Sequence, residues 1–142
     1  MPTTSQAGLA LSVTGLAISG YLAIVHMTSA SLLACAGGGL VDCERVTTSA
    51  EATVVGIPVA FMGVAWFAAM VVLNVPAAWR SRASAVRRAR LGLSVAGMAF
   101  VLWLIYAELF VIGAICLWCT VVHAVTFALF VLIMLEAPSS RR

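Results

Sequence analysis

Four long apolar stretches, separated by short polar segments, dominate the pattern of the chain. They cover approximately residues 9–26, 54–75, 91–112 and 114–135. A helix needs about 20 apolar residues to cross the hydrocarbon core of a bilayer, and each stretch is of that order. The last two adjoin with a single charge, Glu108, inside them, and together they exceed one crossing. We therefore predict that the chain folds back near Gly113.

This pattern predicts an all-α integral membrane protein, with a single transmembrane domain over residues 1–142 in which four helices form a bundle. The composition agrees, because 63% of the residues are hydrophobic and 9% are charged. Soluble domains are roughly 45–50% apolar and 25% charged. A disordered chain, a secreted disulfide-rich mini-protein and most soluble enzymes are excluded. The one long connection, residues 26–53, is then a loop between the first two helices.

Positive charge is concentrated between the second and third stretches. Five of the eight basic residues lie within the segment 79–90, whereas residues 28–56 carry three acidic residues and one arginine. The five are Arg80, Arg82, Arg87, Arg88 and Arg90. An arginine cluster between two membrane spans favours a cytoplasmic loop over a nucleic-acid site. We therefore expect no nucleic-acid partner, both termini in the cytoplasm, including Arg141 and Arg142, and an extracytoplasmic 26–53 loop.

A possible cleavage site lies at the end of the first stretch. Leu32-Leu33-Ala34-Cys35 is similar to the cleavage box of a lipoprotein signal peptide. However, the chain begins without basic residues, and its first apolar run is longer than that of a signal peptide. We therefore expect the first stretch to remain as a membrane helix.

Four cysteines form two spaced pairs, Cys35-x7-Cys43 in the first loop and Cys116-x2-Cys119 at the start of the last stretch. The first and third loops of a four-span protein lie on the same side, so all four thiols can share one membrane face. A helix N-terminus favours a thiolate at Cys116, while Cys119 lies one turn deeper. This spacing favours redox-active pairs. Two structural disulfides, a four-cysteine zinc site and unpaired buried thiols remain as alternatives.

An ordered set of motifs adds to the cysteine spacing. It comprises Cys35-x7-Cys43, Ser49 six residues later, Gly56-Ile57-Pro58 followed by Gly63, and Cys116-Leu117-Trp118-Cys119. In this set, and over roughly residues 10–135, the chain resembles the vitamin K epoxide reductase (VKOR) family in its bacterial form without a fused thioredoxin-like domain.

The resemblance implies a quinone-dependent thiol/disulfide oxidoreductase in a bacterial cell membrane. Electrons would pass from a thioredoxin-fold, DsbA-like protein through two catalytic pairs, Cys35–Cys43 and Cys116–Cys119, to a membrane quinone, and so support disulfide formation in secreted proteins. Menaquinone, ubiquinone and vitamin K all remain open as the quinone. Since the chain ends at Arg142, we expect the partner to be a separate polypeptide. Reduction of vitamin K quinone or epoxide is a further activity of relatives.

The resemblance also places Ser49 beside the quinone, on a short helix of the extracytoplasmic loop that covers the bundle. The alternative for the whole protein is a non-enzymatic membrane subunit with structural disulfides or a four-cysteine zinc site.

Two polar residues lie within the apolar stretches near the cysteines. His123 follows Cys119 by four residues and therefore lies on the same helix face. It could donate a hydrogen bond or a proton to a quinone, or bond to another helix without any chemistry. Glu108 could accept thiol protons or extend to the membrane surface. We predict cofactor binding by Ser49 and His123, and no metal ligands.

Overall fold

The computed structural model describes residues 2–29, 33, 35 and 38–137. Its helices are α1 (Pro2–Thr28), α2 (Cys43–Thr47), α3 (Val59–Asn74), α4 (Pro76–Arg80), α5 (Ser84–Tyr106) and α6 (Leu117–Glu136). A 3-10 turn (Ala50–Ala52), a two-stranded hairpin of β1 (Thr53–Val54) and β2 (Ile57–Pro58), and a π-helical segment (Ala107–Ile112) complete it. Leu32 and Ala34 of the cleavage box, and the terminal Arg141 and Arg142, lie outside the described residues.

Three of the described helical segments are long and apolar enough to cross a membrane. They are Thr4–Thr28, Ser84–Ile112 and Leu117–Glu136. Helix α3 is apolar as well but has 16 residues, which corresponds to about 24 Å of helix. The expected helical, multi-pass membrane architecture therefore agrees with the structure except for the short hairpin of β1 and β2, while the number of four crossings stays a prediction.

The second apolar stretch becomes helical later than its composition indicates. Residues Thr53–Val54 pair with Ile57–Pro58 in an antiparallel hairpin, and α3 begins only at Val59. The two turn residues both have positive φ angles, 52° at Val55 and 80° at Gly56. Such mirror-image turns match the twist of two-residue hairpins. The hairpin thus provides hydrogen-bond partners for backbone groups that would be paired within the helix if α3 began earlier.

Small residues on one face of α1 allow it to lie directly against α3. A Cβ at Gly15 would overlap the ring of Phe67, and a Cβ at Gly8 would lie 2.9 Å from Asn74 Oδ1. Phe67 is 1% exposed and belongs to a core cluster with Val125 and Leu129 of α6. In a bilayer, helices do not associate by burying an apolar face, because the lipid is apolar too. They associate where small residues allow the two backbones to pack closely.

The chain reverses where the third and fourth apolar stretches adjoin. Helix α5 continues into the π-helical segment and ends at Gly113, whose φ of 69° is left-handed. The Ala114 N–H donates to the Glu108 carbonyl at 3.1 Å. Glycine adopts this conformation without steric cost. The reversal expected near Gly113 therefore occurs there, and it leads directly to Cys116.

Candidate active site

Backbone hydrogen bonds join the first loop to the segment before α6. The Asp42 N–H donates to the Ile115 carbonyl at 3.0 Å, and the Ile115 N–H donates to the Leu40 carbonyl at 2.9 Å. Val41 thereby pairs with Ile115 in a parallel bridge. Because Cys43 and Cys116 follow these residues closely, the bridge brings both cysteine pairs to the same end of the bundle.

All four cysteines meet in one buried cluster. Cys43 and Cys116 are 2% and 0% exposed, and Cys35 and Cys119 pack against the same cluster. Cys35 and Cys43 form a disulfide with their Cα atoms 6.1 Å apart. Cys116 and Cys119 are free thiols. The site therefore places an oxidised pair beside a reduced pair, as thiol–disulfide exchange between them would require.

Helix α2 holds Cys43 in its buried position. Its first residue is Cys43, and the preceding Asp42 caps it by accepting a hydrogen bond from the Arg45 N–H at 2.9 Å. The Thr47 hydroxyl donates to the Cys43 carbonyl at 2.8 Å. Such side-chain caps stabilise a short helix that would be marginal by itself.

Cys116 occupies the N-cap position of α6. Its Sγ accepts a hydrogen bond from the Cys119 N–H at 3.3 Å. The pKa of the Cys116 thiol lies below its ordinary value, chiefly because the Cys119 thiol donates a hydrogen bond to it, although burial acts in the opposite direction. The backbone N–H groups of Cys119 and Trp118, at the start of α6, also lower the pKa of Cys116, but they contribute less than the Cys119 thiol does.

A cavity of about 270 Å³ lies inside the bundle, with Cys119 in its wall. Three of the six residues assigned to the site from the sequence line it, namely Ser49, Cys119 and His123. Cys35, Cys43 and Cys116 do not. Most of the wall is apolar and includes the rings of Trp66, Phe67 and Phe100. We call this space the redox cavity; its largely apolar wall suits an apolar molecule that reaches Cys119.

Two buried titratable side chains also face the redox cavity. His123 and Glu108 are each 7% exposed. Among the described residues, the imidazole of His123 has no hydrogen-bond partner, whereas Thr126 one turn deeper donates to the Val122 carbonyl at 2.9 Å. The carboxylate of Glu108 interacts with the backbone N–H of Cys116, and its charge acts on both free thiols. A buried imidazole without a protein partner is suited to a ligand in the cavity.

Ser49 lies at the loop side of the redox cavity. It precedes the 3-10 turn but makes no side-chain cap; its hydroxyl donates instead to the Val46 carbonyl at 2.8 Å. Its oxygen can still accept a hydrogen bond from a ligand. The family resemblance implies a short helix that carries Ser49, whereas in the structure Ser49 lies in extended conformation between α2 and the 3-10 turn.

Several lining residues were not singled out from the sequence, among them Ser19, Glu51 and Gly97. A Cβ at Gly97 would collide with the Trp66 ring. A glycine opposite a tryptophan on another helix leaves no signal in one sequence, because the pairing arises only from the packing of α3 against α5. His26, in the last turn of α1, also lines the cavity.

The zinc alternative would need all four cysteines as thiolate ligands. Within residues 2–29, 33, 35 and 38–137, no group of three or more His, Cys, Asp or Glu side chains is arranged to hold a metal ion. Two of the four thiols are joined in the Cys35–Cys43 disulfide.

These features define a multi-pass membrane protein with a dithiol–disulfide site next to an apolar cavity. The model of the Vitamin K epoxide reductase family matches residues 7–134, so the chain belongs to this family and the resemblance drawn from its motifs is confirmed. No curated protein sequence matches the chain significantly. Membership implies membrane disulfide and quinone redox chemistry and makes the protein an oxidoreductase.

Proposed function

We propose that this protein is a membrane thiol oxidase that passes electrons from a thioredoxin-fold partner through Cys35–Cys43 and then Cys116–Cys119 to a quinone. The main support is one arrangement: both pairs share a buried cluster, and of the four cysteines Cys119 alone lines the redox cavity. Electrons therefore have a route from loop to cavity through sulfur atoms that are near one another.

The redox cavity has the properties that a quinone ring requires. Its wall is largely apolar, and polar side chains lie close to Cys119. The imidazole of His123 is free of protein hydrogen bonds among the described residues and can donate to a carbonyl oxygen. A bound quinone supplies a sink for two electrons and two protons.

The first exchange occurs in the loop. Cys35 is half-buried whereas Cys43 is 2% exposed, so a partner thiolate reaches the Cys35 sulfur. Attack there releases Cys43 as a thiolate and forms a mixed disulfide with the partner. The partner's second thiol then closes its own disulfide and releases Cys35. The loop pair is now a dithiol, and the partner has lost two electrons and two protons.

The second exchange transfers these electrons to α6. The Cys43 thiolate attacks Cys116 of an oxidised Cys116–Cys119 pair, and Cys119 leaves as a thiolate that faces the redox cavity. Cys35 then attacks Cys43, which restores the loop disulfide and releases Cys116. A leaving thiol of low pKa departs faster, so the lowered pKa of Cys116 favours this release.

The final step re-forms the Cys116–Cys119 disulfide and delivers two electrons and two protons into the redox cavity. Glu108 lies beside both thiols and can accept a proton from them. His123 lies one turn beyond Cys119 and can hold a proton at the oxygen that becomes negatively charged. Glu108 thus serves as the proton acceptor for the thiols, and His123 serves as the proton donor to the quinone oxygen.

Four crossings fit this chemistry best. Helix α3 would form the second crossing, with the hairpin before it and α4 after it extending its short length. The arginine segment 79–90 and both termini then lie in the cytoplasm. The cysteines lie on the extracytoplasmic face, where disulfides persist and secreted proteins fold.

The electron path is tested by trapping its intermediates. Purified protein is mixed with a dithiol donor and a soluble quinone, and disulfides are mapped by mass spectrometry. Cys35→Ser should accumulate a Cys43–Cys116 disulfide, because Cys35 is the thiol that resolves it. Cys116→Ser should trap no bond between loop and helix. A Cys35–Cys119 disulfide as the main product would contradict the order, and absence of quinone reduction by the unaltered protein would contradict the function.

A further inference from the structure

A second cavity lies at the end of the bundle away from the cysteines. Its volume is about 470 Å³, and we call it the arginine cavity. Of the described residues, four arginines line it, namely Arg80, Arg82, Arg87 and Arg90. The redox chemistry proposed above makes no use of it.

One of these charges is held rigidly by its surroundings. Arg90 is 6% exposed, and its Nε and Nη2 groups donate to the Leu73 carbonyl at 3.0 and 2.8 Å. Its guanidinium lies 3.9 Å from the centroid of the Trp79 ring. The Trp79 indole N–H donates to Asn74 Oδ1 at 3.2 Å, and the Asn74 amide donates to Ser12 Oγ at 3.3 Å. A buried network therefore fixes a cation at the base of the cavity.

The remaining lining reinforces the positive field. Arg80, Arg82 and Arg87 are exposed and free to turn toward a ligand. Helix α5 begins beside them at Ser84, and its N-cap residue Ala83 provides no side-chain cap, so the first N–H groups of the helix add to the positive potential. Among the residues that the structure describes, the one acidic residue in the lining is Glu136, which accepts a hydrogen bond from the Thr4 hydroxyl at 3.3 Å. Four cations against one carboxylate favour an anionic ligand.

We propose that the arginine cavity binds the phosphate group of an anionic phospholipid. Its lining combines the arginines with two apolar side chains. Leu91 lies one turn after Arg87 in α5, and Ile133 lies one turn before Glu136 in α6. A phospholipid has this division into a phosphodiester and an apolar body, whereas inorganic phosphate lacks the second part. Basic cavities between membrane helices bind such headgroups in general. The site would attach α4 and the start of α5 to the membrane surface.

Arg88 provides a matched control. It lies next to Arg87 in the sequence and is exposed, but it does not line the cavity, and its Nη2 lies 3.4 Å from Ser84 Oγ. Substitution of Arg87 or Arg88 by glutamine removes the same charge from the same turn of α5. A difference between the two variants therefore reports on the cavity and not on the total charge of the 79–90 segment.

The test measures lipid binding to the purified full-length protein in a neutral detergent by native mass spectrometry. The probes are phosphatidylglycerol, phosphatidylcholine and inorganic phosphate. We expect retention of phosphatidylglycerol but not of phosphatidylcholine, and no displacement by inorganic phosphate. Arg87→Gln should weaken binding about fivefold, and Arg82→Gln with Arg87→Gln about 25-fold, as expected for loss of one and two arginine contacts. Arg88→Gln should change it less than about twofold, and Glu136→Gln should strengthen it.

Equal losses of lipid affinity in Arg87→Gln and Arg88→Gln would overturn the proposal, because they would indicate that the total positive charge of the 79–90 segment attracts the lipid. Equal retention of phosphatidylcholine, or displacement by inorganic phosphate, would overturn the assignment to an anionic lipid. The altered arginines are exposed, and a thermal unfolding curve without lipid verifies that each variant is folded. Quinone reduction is measured separately, so failure of the lipid proposal leaves the proposed redox function unaffected.

Discussion

His123 either binds the quinone or only packs between helices, and substitution of this residue distinguishes the two roles. It lies one turn beyond Cys119, lines the redox cavity and is 7% exposed. A donor aimed at a developing oxyanion stabilises the transition state, so His123→Ala should slow quinone reduction on the order of ten- to a thousandfold. Exchange between a dithiol donor and the Cys35–Cys43 pair should be nearly unchanged. Single-turnover kinetics separate the two steps.

Two further variants make this result specific. His123→Gln keeps a hydrogen-bond donor and should recover part of the lost rate. Phe127→Ala removes a large side chain four residues further along, where the ring is 54% exposed, and should have little effect. If His123→Ala reduces quinone at the parental rate, the histidine is a packing residue and other groups hold the quinone.

Cys116 leads to a prediction about pH. Because the hydrogen bond from the Cys119 thiol lowers the pKa of Cys116, its thiolate forms at a lower pH than that of an ordinary cysteine. In a background without Cys35 and Cys43, Cys119→Ser keeps a hydroxyl donor and Cys119→Ala does not. The pKa of Cys116 should be lower in the serine variant than in the alanine variant, because the serine hydroxyl can donate a hydrogen bond to the thiolate and the alanine methyl group cannot.

Thiolate absorbance against pH measures this difference, because Cys116 is then the one titrating thiol in each protein. The lowered pKa of Cys116 also affects stability. It stabilises the folded, reduced protein at pH values above the unfolded-state pKa of the thiol. This stabilisation is lost as the pH falls through the folded-state pKa. Equal midpoints for the two variants would show that the Cys119 side chain does not act on Cys116.

At the scale of single residues, part of the candidate site can be predicted because the number of residues between two positions in a helix determines whether they share a face. The four-residue step from Cys119 to His123 places both on one helix face, and both line the cavity. The hydrogen bond from Ser49 to Val46 and the position of Glu51 in the lining depend on the path of an irregular loop. No periodicity encodes such a path.

Among the elements, the contact between α1 and α3 depends on glycine. Gly15→Ala would place a methyl group within the volume of the Phe67 ring and should destabilise the protein by about 1–3 kcal/mol. Gly20→Ala is the matched control on the same helix, because a Cβ there meets no atom within 4 Å. It should stabilise α1 by up to about 1 kcal/mol. Thermal unfolding in detergent compares the two variants.

A second-site change tests the cause. Phe67→Leu introduced into the Gly15→Ala protein should restore part of the stability, since the smaller side chain gives the methyl group room. Equal stability of Gly15→Ala and the parent would mean that α1 and α3 do not pack closely at this point.

The positions of the elements could be predicted only in part. Apolar length locates the helices because a bilayer demands it. Which face of each helix is buried does not follow, because residues on both faces of a membrane helix are apolar and small residues decide the contact. The hairpin before α3 and the π-helical segment after α5 also leave no apolar pattern of their own, since both lie within continuous apolar sequence.

For the whole molecule, the proposed function requires that the cysteines and the arginine segment lie on opposite sides of the membrane. The described helices place them at opposite ends of α5 and α6, because Arg87 and Arg90 lie at the start of α5 whereas Cys116 immediately precedes α6. In an oxidising compartment the Cys35–Cys43 disulfide persists, but in the cytoplasm reductants would open it. The orientation of the bundle therefore decides whether the protein can oxidise a partner.

Single cysteines placed in a protein without its four native ones test this orientation. Ala85 and Glu44 are both exposed, so cysteines at these positions are accessible to a reagent that does not cross membranes. With intact cells, Glu44→Cys should be labelled and Ala85→Cys should not, because arginine-rich loops stay in the cytoplasm. After the membrane is opened, both should react equally, which shows that each thiol is accessible. Labelling of Ala85→Cys alone in intact cells would place the cysteine cluster in a reducing compartment and contradict the oxidase function.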